Sequence, residues 1–212
     1  MPGTMTDFDK IQLYSGMDKP YGNSYGEWTT KWWRWVMPIS SGKSPLLDET
    51  GSDWFEKQPT SDVWFLTGNF ATEASKYKSF PQRNIKLQAG RSIMFPVLNC
   101  LATFLEYPDL KTHEDLLGHV EKDVNSVVKK DLFINRKMFE PVRISSEPQI
   151  FKLTIPEDNA FGIKNSGLTA AAADGYWAFI KPLTKGTYRI DFEGSCENGR
   201  LSAGAGYEVN VV

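Results

Sequence analysis

The sequence predicts an α+β protein that is mainly β, an antiparallel, jelly-roll-like β-sandwich with two helices packed on it. Three observations carry this expectation. The run "GTYRIDFEG" (186–194) sets Tyr188, Ile190 and Phe192 on one face and Arg189, Asp191 and Glu193 on the other, the alternation of a half-buried antiparallel strand. Short runs rich in β-branched and aromatic residues, bounded by turn residues, recur along most of the chain. Only two segments carry a helical period, and no parallel βαβ unit stands out.

Taken in order, residues 1–20 are polar and read as an extended N-terminal arm, and residues 21–212 read as a single domain. "SYGEWTTKWWRWVMP" (24–38) starts with a capping box, Ser24 and Glu27, and stops before Pro38. Trp28, Trp32 and Trp35 form one face at i, i+4, i+7, so they are expected to be core, with Trp33 as the exception if one is exposed. "VWFLTGNF" (63–70) and "SIMFPVLN" (92–99) are strands, and "NIKLQAGRSIMF" predicts a hairpin turning at Ala89 and Gly90. The second helix is expected over 114–130, capped by Thr112, with an apolar stripe of Leu116, Leu117, Val120, Val124, Val127 and Val128. Acids at its start and Lys129 and Lys130 at its end suit the helix dipole. "IFKLTI", "GYWAFI" and "AGYEVNVV" complete the strands.

A chain of 212 residues supports one substantial core, and a formal net charge of −2 gives no electrostatic reason to expect nucleic acid. The first residues lack the basic-then-apolar pattern of a signal peptide, and no apolar run reaches the ~18 residues of a membrane span, so a cytoplasmic protein without membrane contact is expected. Two cysteines, Cys100 and Cys196, are too few for a disulfide framework and are expected to be buried thiols.

Several motifs tempt. "GNSYG" (22–26) matches G-x-S-x-G, yet no buried strand precedes it, so Ser24 is read as a helix cap rather than a nucleophile. His113 and His119 lie six residues apart in "HEDLLGH", a rotation of roughly 240° that denies them a shared metal. His113 alone reads as a partly buried histidine, with a general base tuned by Asp109 and Glu114 as the sharper alternative. "SSGKS" (40–44) lacks the upstream glycine of a phosphate loop, and "DETGSD" (48–53) reads as a turn ahead of an irregular calcium site.

The segments "NSYGEW...KWWRW", "PLLDETG", "VWFLTGNF", "MFPVLN" and "DGYWAFIKPLTKGTYRIDFEG" stand in one order over residues 20–212. As a set they resemble a poorly characterised family of archaea, bacteria and fungi with members associated with quorum quenching as N-acyl-homoserine lactone lactonases. The resemblance departs where relatives carry histidines on the strand that here holds Tyr188 and Asp191, and where they carry a leader.

The resemblance implies a hydrolase that opens a lactone or related ester on a small-molecule substrate. Such a reaction needs an attacking water and a group to hold the oxyanion. Two histidines cannot build a His-rich dinuclear zinc site, so a carboxylate base or an oxygen-held divalent ion such as Ca2+ or Zn2+ would serve. The densest candidate cluster is Asn99, Glu106, Asp109 and His113, at a strand end and in the loop after it. Trp33 and Tyr107 are the aromatic residues assigned to substrate, and Asp191 and Glu193 are second candidates for the acid groups. Two other readings stand beside the hydrolase: a non-catalytic, carbohydrate-like binding sandwich, and a module that forms a homo-oligomer through the Trp helix.

Overall fold

The computed structural model describes residues 11–50, 58–70, 80–197 and 201–212. The N-terminal arm before Ile11 and the second half of "DETGSD" lie outside those residues. Helix α1 spans Tyr25–Val36 and α2 His113–Asn125. The strands are β1 (Val63–Phe65), β2 (Asn69–Phe70), β3 (Gln82–Leu87), β4 (Ser92–Thr103), β5 (Val127–Ile134), β6 (Lys137–Met138), β7 (Val142–Arg143), β8 (Ile150–Ile155), β9 (Gly167–Ile180), β10 (Gly186–Cys196) and β11 (Ser202–Val211).

They form two sheets. The first runs β1-β4-β9-β7 with β8 also on β9, and the second runs β2-β11-β10-β5-β6 with β3 also on β11. Most pairs are antiparallel, but β1 with β4 and β3 with β11 are parallel. The sheets meet through Phe95 and Phe192, whose rings lie 4.7 Å apart, and at Gly194, where an added Cβ would come within 2.5 Å of Leu98. Tyr188, Ile190 and Phe192 face inward, as their alternation predicts, while Arg189 and Asp191 pair on the outer face.

Helix α1 covers the other face of the first sheet. Its Trp28 packs edge-on against Phe65 and Phe179, and Trp32 against Trp177. This double cover explains why β4 reads as a continuous apolar run: both faces of "IMFPVL" are buried. The helix begins as expected. Ser24 Oγ accepts from the Glu27 N–H at 3.1 Å, and Glu27 Oε2 accepts from the Ser24 N–H at 2.7 Å. The same hydroxyl donates to Glu147, so it is engaged in holding the helix start and no histidine is placed against it. A Ser24→Ala protein is therefore expected to lose about 1 kcal/mol of stability, and Ser24 of the wild type to resist a serine-directed phosphonate. Covalent labelling of Ser24 would restore the nucleophile elbow.

All four tryptophans of α1 are buried, so Trp33, only 2% exposed, is no exception. Three expectations are corrected. Helix α2 stops at Asn125, and residues 127–130 open β5, because Val127, Lys129 and Lys130 pair with β10 instead of extending the helix. "VWFLTGNF" is two strands in different sheets, broken at Thr67 and Gly68, where β2 leaves to pair with β11. The turn at Gly90 has the left-handed φ of 89°, yet β3 and β4 also part to different sheets, so it is an arch between layers rather than a hairpin. In each strand case the periodicity gave the element, and the partner was set by contacts far away in sequence.

Candidate functional site

The site forms where the first sheet is left open. β1 pairs with β4 only at residues 92–94, and beyond Met94 no strand among the described residues takes that edge. Pro96 cannot donate a ladder hydrogen bond, and the register against β9 shifts between Pro96 and Leu98. A bulge of this kind re-aims the side chains that follow it. Gly175 stands opposite Asn99, and a Cβ there would fall 2.6 Å from the Asn99 Cα, so only glycine permits so close an approach of the strands.

Past the bulge, β4 turns into a loop that folds back over its own open edge. Thr103, fully buried, pins the turn: its Oγ1 accepts from the Glu106 N–H at 3.1 Å and its carbonyl from the Tyr107 N–H at 2.9 Å. Helix α2 closes the far side, anchored on Ala102 and Ala172 by Leu116, Val120 and Val124. Arg143 locks the end of the helix in place by donating to Asp174 at 2.6 and 3.0 Å and to Asn125 at 2.7 Å.

These elements enclose a cavity of about 170 Å³ whose polar wall holds Asn99, Glu106, Tyr107, Asp123 and Ser126. A narrower apolar cavity of about 40 Å³ adjoins it, walled by Trp32, Leu46, Val97 and Ala203 among others. Trp33, Asn99, Phe161 and Leu201 line both. Phe161 stands at the rim, stacked on Phe70 with ring centroids 5.0 Å apart.

The electrostatics of this cavity are unusual in one respect. Burial pushes the Glu106 carboxyl up to about 7, the Tyr107 hydrogen bond partly opposes it, and the nearby Asp123 charge adds to it. The carboxyl therefore titrates near neutrality. Two buried donors on the shared wall, Asn99 Nδ2 and Trp33 Nε1, have no hydrogen-bond partner. Buried polar groups are nearly always satisfied, and the same orphaned state recurs away from the cavity at the Tyr25 hydroxyl, Asn135 Nδ2 and Trp177 Nε1. Cys100 and Cys196 line the same cavity as free, buried thiols, as expected, and burial raises both above the ordinary thiol range, which disfavours the thiolate.

Of the residues singled out from sequence, Asn99, Glu106, Tyr107 and Trp33 meet around this cavity. His113 and Asp109 do not: both are exposed, and His113 lies against Phe104 with centroids 6.1 Å apart. His113 is the first residue of α2, and the first turn points it away from the stripe of Leu116 and Val120 that docks the helix. The histidine near the site is instead His119, whose ring centroid lies 4.1 Å from that of Tyr107 and whose Nε2 lies 3.6 Å from Asp123. Asp191 and Glu193 remain on the outer sheet face, paired with Arg189 and Lys129. Asp123, Ser126 and Phe161 were not legible as site residues. Asp123 falls on what looks like the polar face of a helix, and nothing in sequence reveals that this face borders a cavity.

Among the described residues, no three His, Cys, Asp or Glu side chains converge as a bound divalent ion would require. The cavity's donor set therefore does not fit the calcium or zinc that the chemistry admitted. Among the described residues, no helix is long and apolar enough to cross a membrane. Comparison with protein-family models, with curated proteins and with solved structures gives no match. The chain combines a mainly β, two-sheet fold with a carboxyl-bearing cavity at an open strand edge.

Proposed function

We propose that this chain is a hydrolase that opens a lactone or a related ester of a small molecule by means of activated water. The observation that carries the reading is Glu106, a carboxyl poised near neutrality on the wall of a polar cavity that it shares with Asn99. Ionised Glu106 takes a proton from water as the oxygen adds to the carbonyl carbon. The carbonyl oxygen becomes an oxyanion, and a shift of the Asn99 or Trp33 side chain would bring a buried N–H donor to it. Collapse breaks the carbon–oxygen bond of the ring, and protonated Glu106 returns the proton to the leaving alkoxide, giving the open hydroxy acid. No covalent intermediate is needed, and both thiols are held in their unreactive form.

The test follows ring opening of γ-butyrolactone and of an N-acyl-homoserine lactone, with spontaneous hydrolysis subtracted. The rate should exceed background, rise with pH through about 7 as Glu106 ionises, and fall by roughly 100-fold or more in Glu106→Gln. His119, Asp123, Tyr107, Cys100 and Cys196 surround the carboxyl, so the profile of Glu106→Gln is the control that assigns the step. Chelator should leave the rate unchanged. No excess over background with either lactone sinks the hydrolase.

The stacked rim of Phe70 and Phe161 beside Trp33 favours a second reading, a non-catalytic binding protein. Ligand binding without turnover, unchanged in rate by Glu106→Gln, would select it. The oligomerising role of the Trp helix has no such support, since all four indoles are buried within the chain itself.

A further inference from the structure

We propose that the cavity bearing Glu106 takes a small organic cation, a compound whose primary ammonium group meets the Glu106 and Asp123 carboxyls and whose carbon frame lies against Trp33, Tyr107 and Phe161. As a substrate, this is a lactone or ester that carries a free amino group. The inference rests on the reading that the ligand of this protein occupies this cavity, and it concerns the ligand's charge rather than its turnover.

The wall is one-sided in charge. Glu106 and Asp123 bring two carboxyls to a space of about 170 Å³, and among the described residues that line it there is no Lys, Arg or His. The cations close by answer neither carboxyl fully. Arg143 is committed to Asp174 and Asn125, and His119 Nε2 reaches Asp123 only at 3.6 Å, longer than a hydrogen bond. The thiols of Cys100 and Cys196 share the wall, and burial keeps them neutral. Two like charges on one partly closed space repel, and burial penalises each of them. The free protein relieves this by keeping the Glu106 carboxyl protonated up to about 7. A bound cation is the other relief, since it offsets both charges at once.

The rest of the wall selects among cations. A divalent ion lacks a third converging side chain among the described residues. Trp33, Tyr107 and Phe161 instead supply aromatic surface, which attracts an ammonium and accepts the carbon attached to it. Trp33 and Phe161 lie 6.3 Å apart by ring centroid, and Phe161 is stacked on Phe70, so this side of the cavity is formed before a ligand arrives. The volume is close to the ~150 Å³ that holds a benzene ring in a protein interior, so one five- or six-membered ring with its ammonium fits. In the hydrolase the same ammonium holds Glu106 ionised, the form that takes a proton from water.

Binding rather than turnover tests this, so that its failure and failure of the hydrolase reading remain separate. The probes are cyclopentylamine, cyclopentanol and cyclopentanecarboxylate, a cation, a neutral and an anion on one ring, titrated by calorimetry at pH 8 and low salt. The amine should bind at least tenfold more tightly than the alcohol, and the carboxylate should not bind. Below about 7 the amine must displace the Glu106 proton, so its affinity should fall by about tenfold per pH unit. His119 beside Asp123 can also gain a proton, so His119→Gln, which should keep this fall, assigns it to Glu106. Glu106→Gln and Asp123→Asn should each weaken the amine at least tenfold, while Glu121→Gln, an exposed acid on the same helix as Asp123, should leave it unchanged. Glu106→Gln, which removes a buried acid, is expected to fold and decides alone if Asp123→Asn does not. Equal affinity for amine and alcohol, a preference for the carboxylate, an amine affinity that Glu106→Gln leaves unchanged, or no binding of the amine would each overturn the proposal. Turnover of neutral lactones without amine binding would keep the hydrolase and remove the cation.

Discussion

Replacing Trp32 with alanine should cost about 3–5 kcal/mol and is expected to be the most damaging single truncation in α1. Trp32 is 1% exposed and meets Trp33, Trp35 and Trp177 edge-on, with centroids 4.9, 6.3 and 5.5 Å away. Its indole N–H also satisfies the Leu66 carbonyl, at the point where the chain leaves β1 for the second sheet. Alanine removes the ring's contacts, leaves a void and orphans that carbonyl. At roughly 2–4 °C per kcal/mol for a chain of this size, the thermal midpoint should fall by about 10 °C. An unchanged midpoint with lost ligand binding would instead make Trp32 a cavity wall with no structural role. The geometry assigns the cluster both roles: Trp28 and Trp35 pack on Phe65, while Trp32 and Trp33 also line the cavities.

A loss of about 3 kcal/mol or more is expected for Arg83→Met, measured by chemical denaturation. Arg83 is 1% exposed and lies on the inward face of β3 with Ile85 and Leu87. Its guanidinium donates to the carbonyls of Pro45 and Thr67 at 3.1 and 2.7 Å, and also to the Asp48 carbonyl, Asn69 and the Tyr207 hydroxyl. These neutral acceptors gather the loop before β1, the break at Thr67 and strand β11 into one knot around the charge. Methionine fills much of the volume but leaves several buried acceptors unpaired, at about 1–3 kcal/mol each where water cannot reach them. Arg83→Lys should recover little, since one ammonium cannot span the same acceptors. A variant within about 0.5 kcal/mol of wild type would show that water replaces the knot.

The same two residues mark how far sequence carries. Helix α1 was legible almost to the residue because its determinants are local: a capping box, a stripe and a terminating proline. The alternation of β10 was equally local. Arg83 also sits in an alternating strand, yet a basic residue at an inward position looks like a solvated one until its acceptors arrive from elsewhere in the chain. Pairing partners failed for the same reason. The turn at Gly90 was readable, but whether β3 and β4 share a sheet depends on β11, more than a hundred residues away.

The site followed this division. Asn99 and Glu106 stand out because polar residues at a strand end and its loop are local signals, and the cavity wall includes both. His113 drew weight because histidines titrate near neutrality, whereas the structure gives that property to a carboxyl. Burial can move an acid that far, and burial is what a single sequence hides.

The most direct measurement is the unfolding free energy of wild type and of Glu106→Gln as a function of pH. The folded carboxyl titrates at about 7 against an ordinary value of 4.5, so the fold disfavours its ionised form. The unfolded chain releases that proton first, and the wild type should lose stability relative to the variant as pH rises from about 4.5 to about 7, with no further change above. At about 1.4 kcal/mol per pH unit, and discounting for water at the cavity mouth, the relative loss should reach roughly 2–3 kcal/mol. His119 and Asp123 are present in both proteins, so their contributions largely cancel in the difference. A difference that stays constant from pH 4 to pH 9 would place Glu106 among ordinary solvated acids and contradict the account of the site.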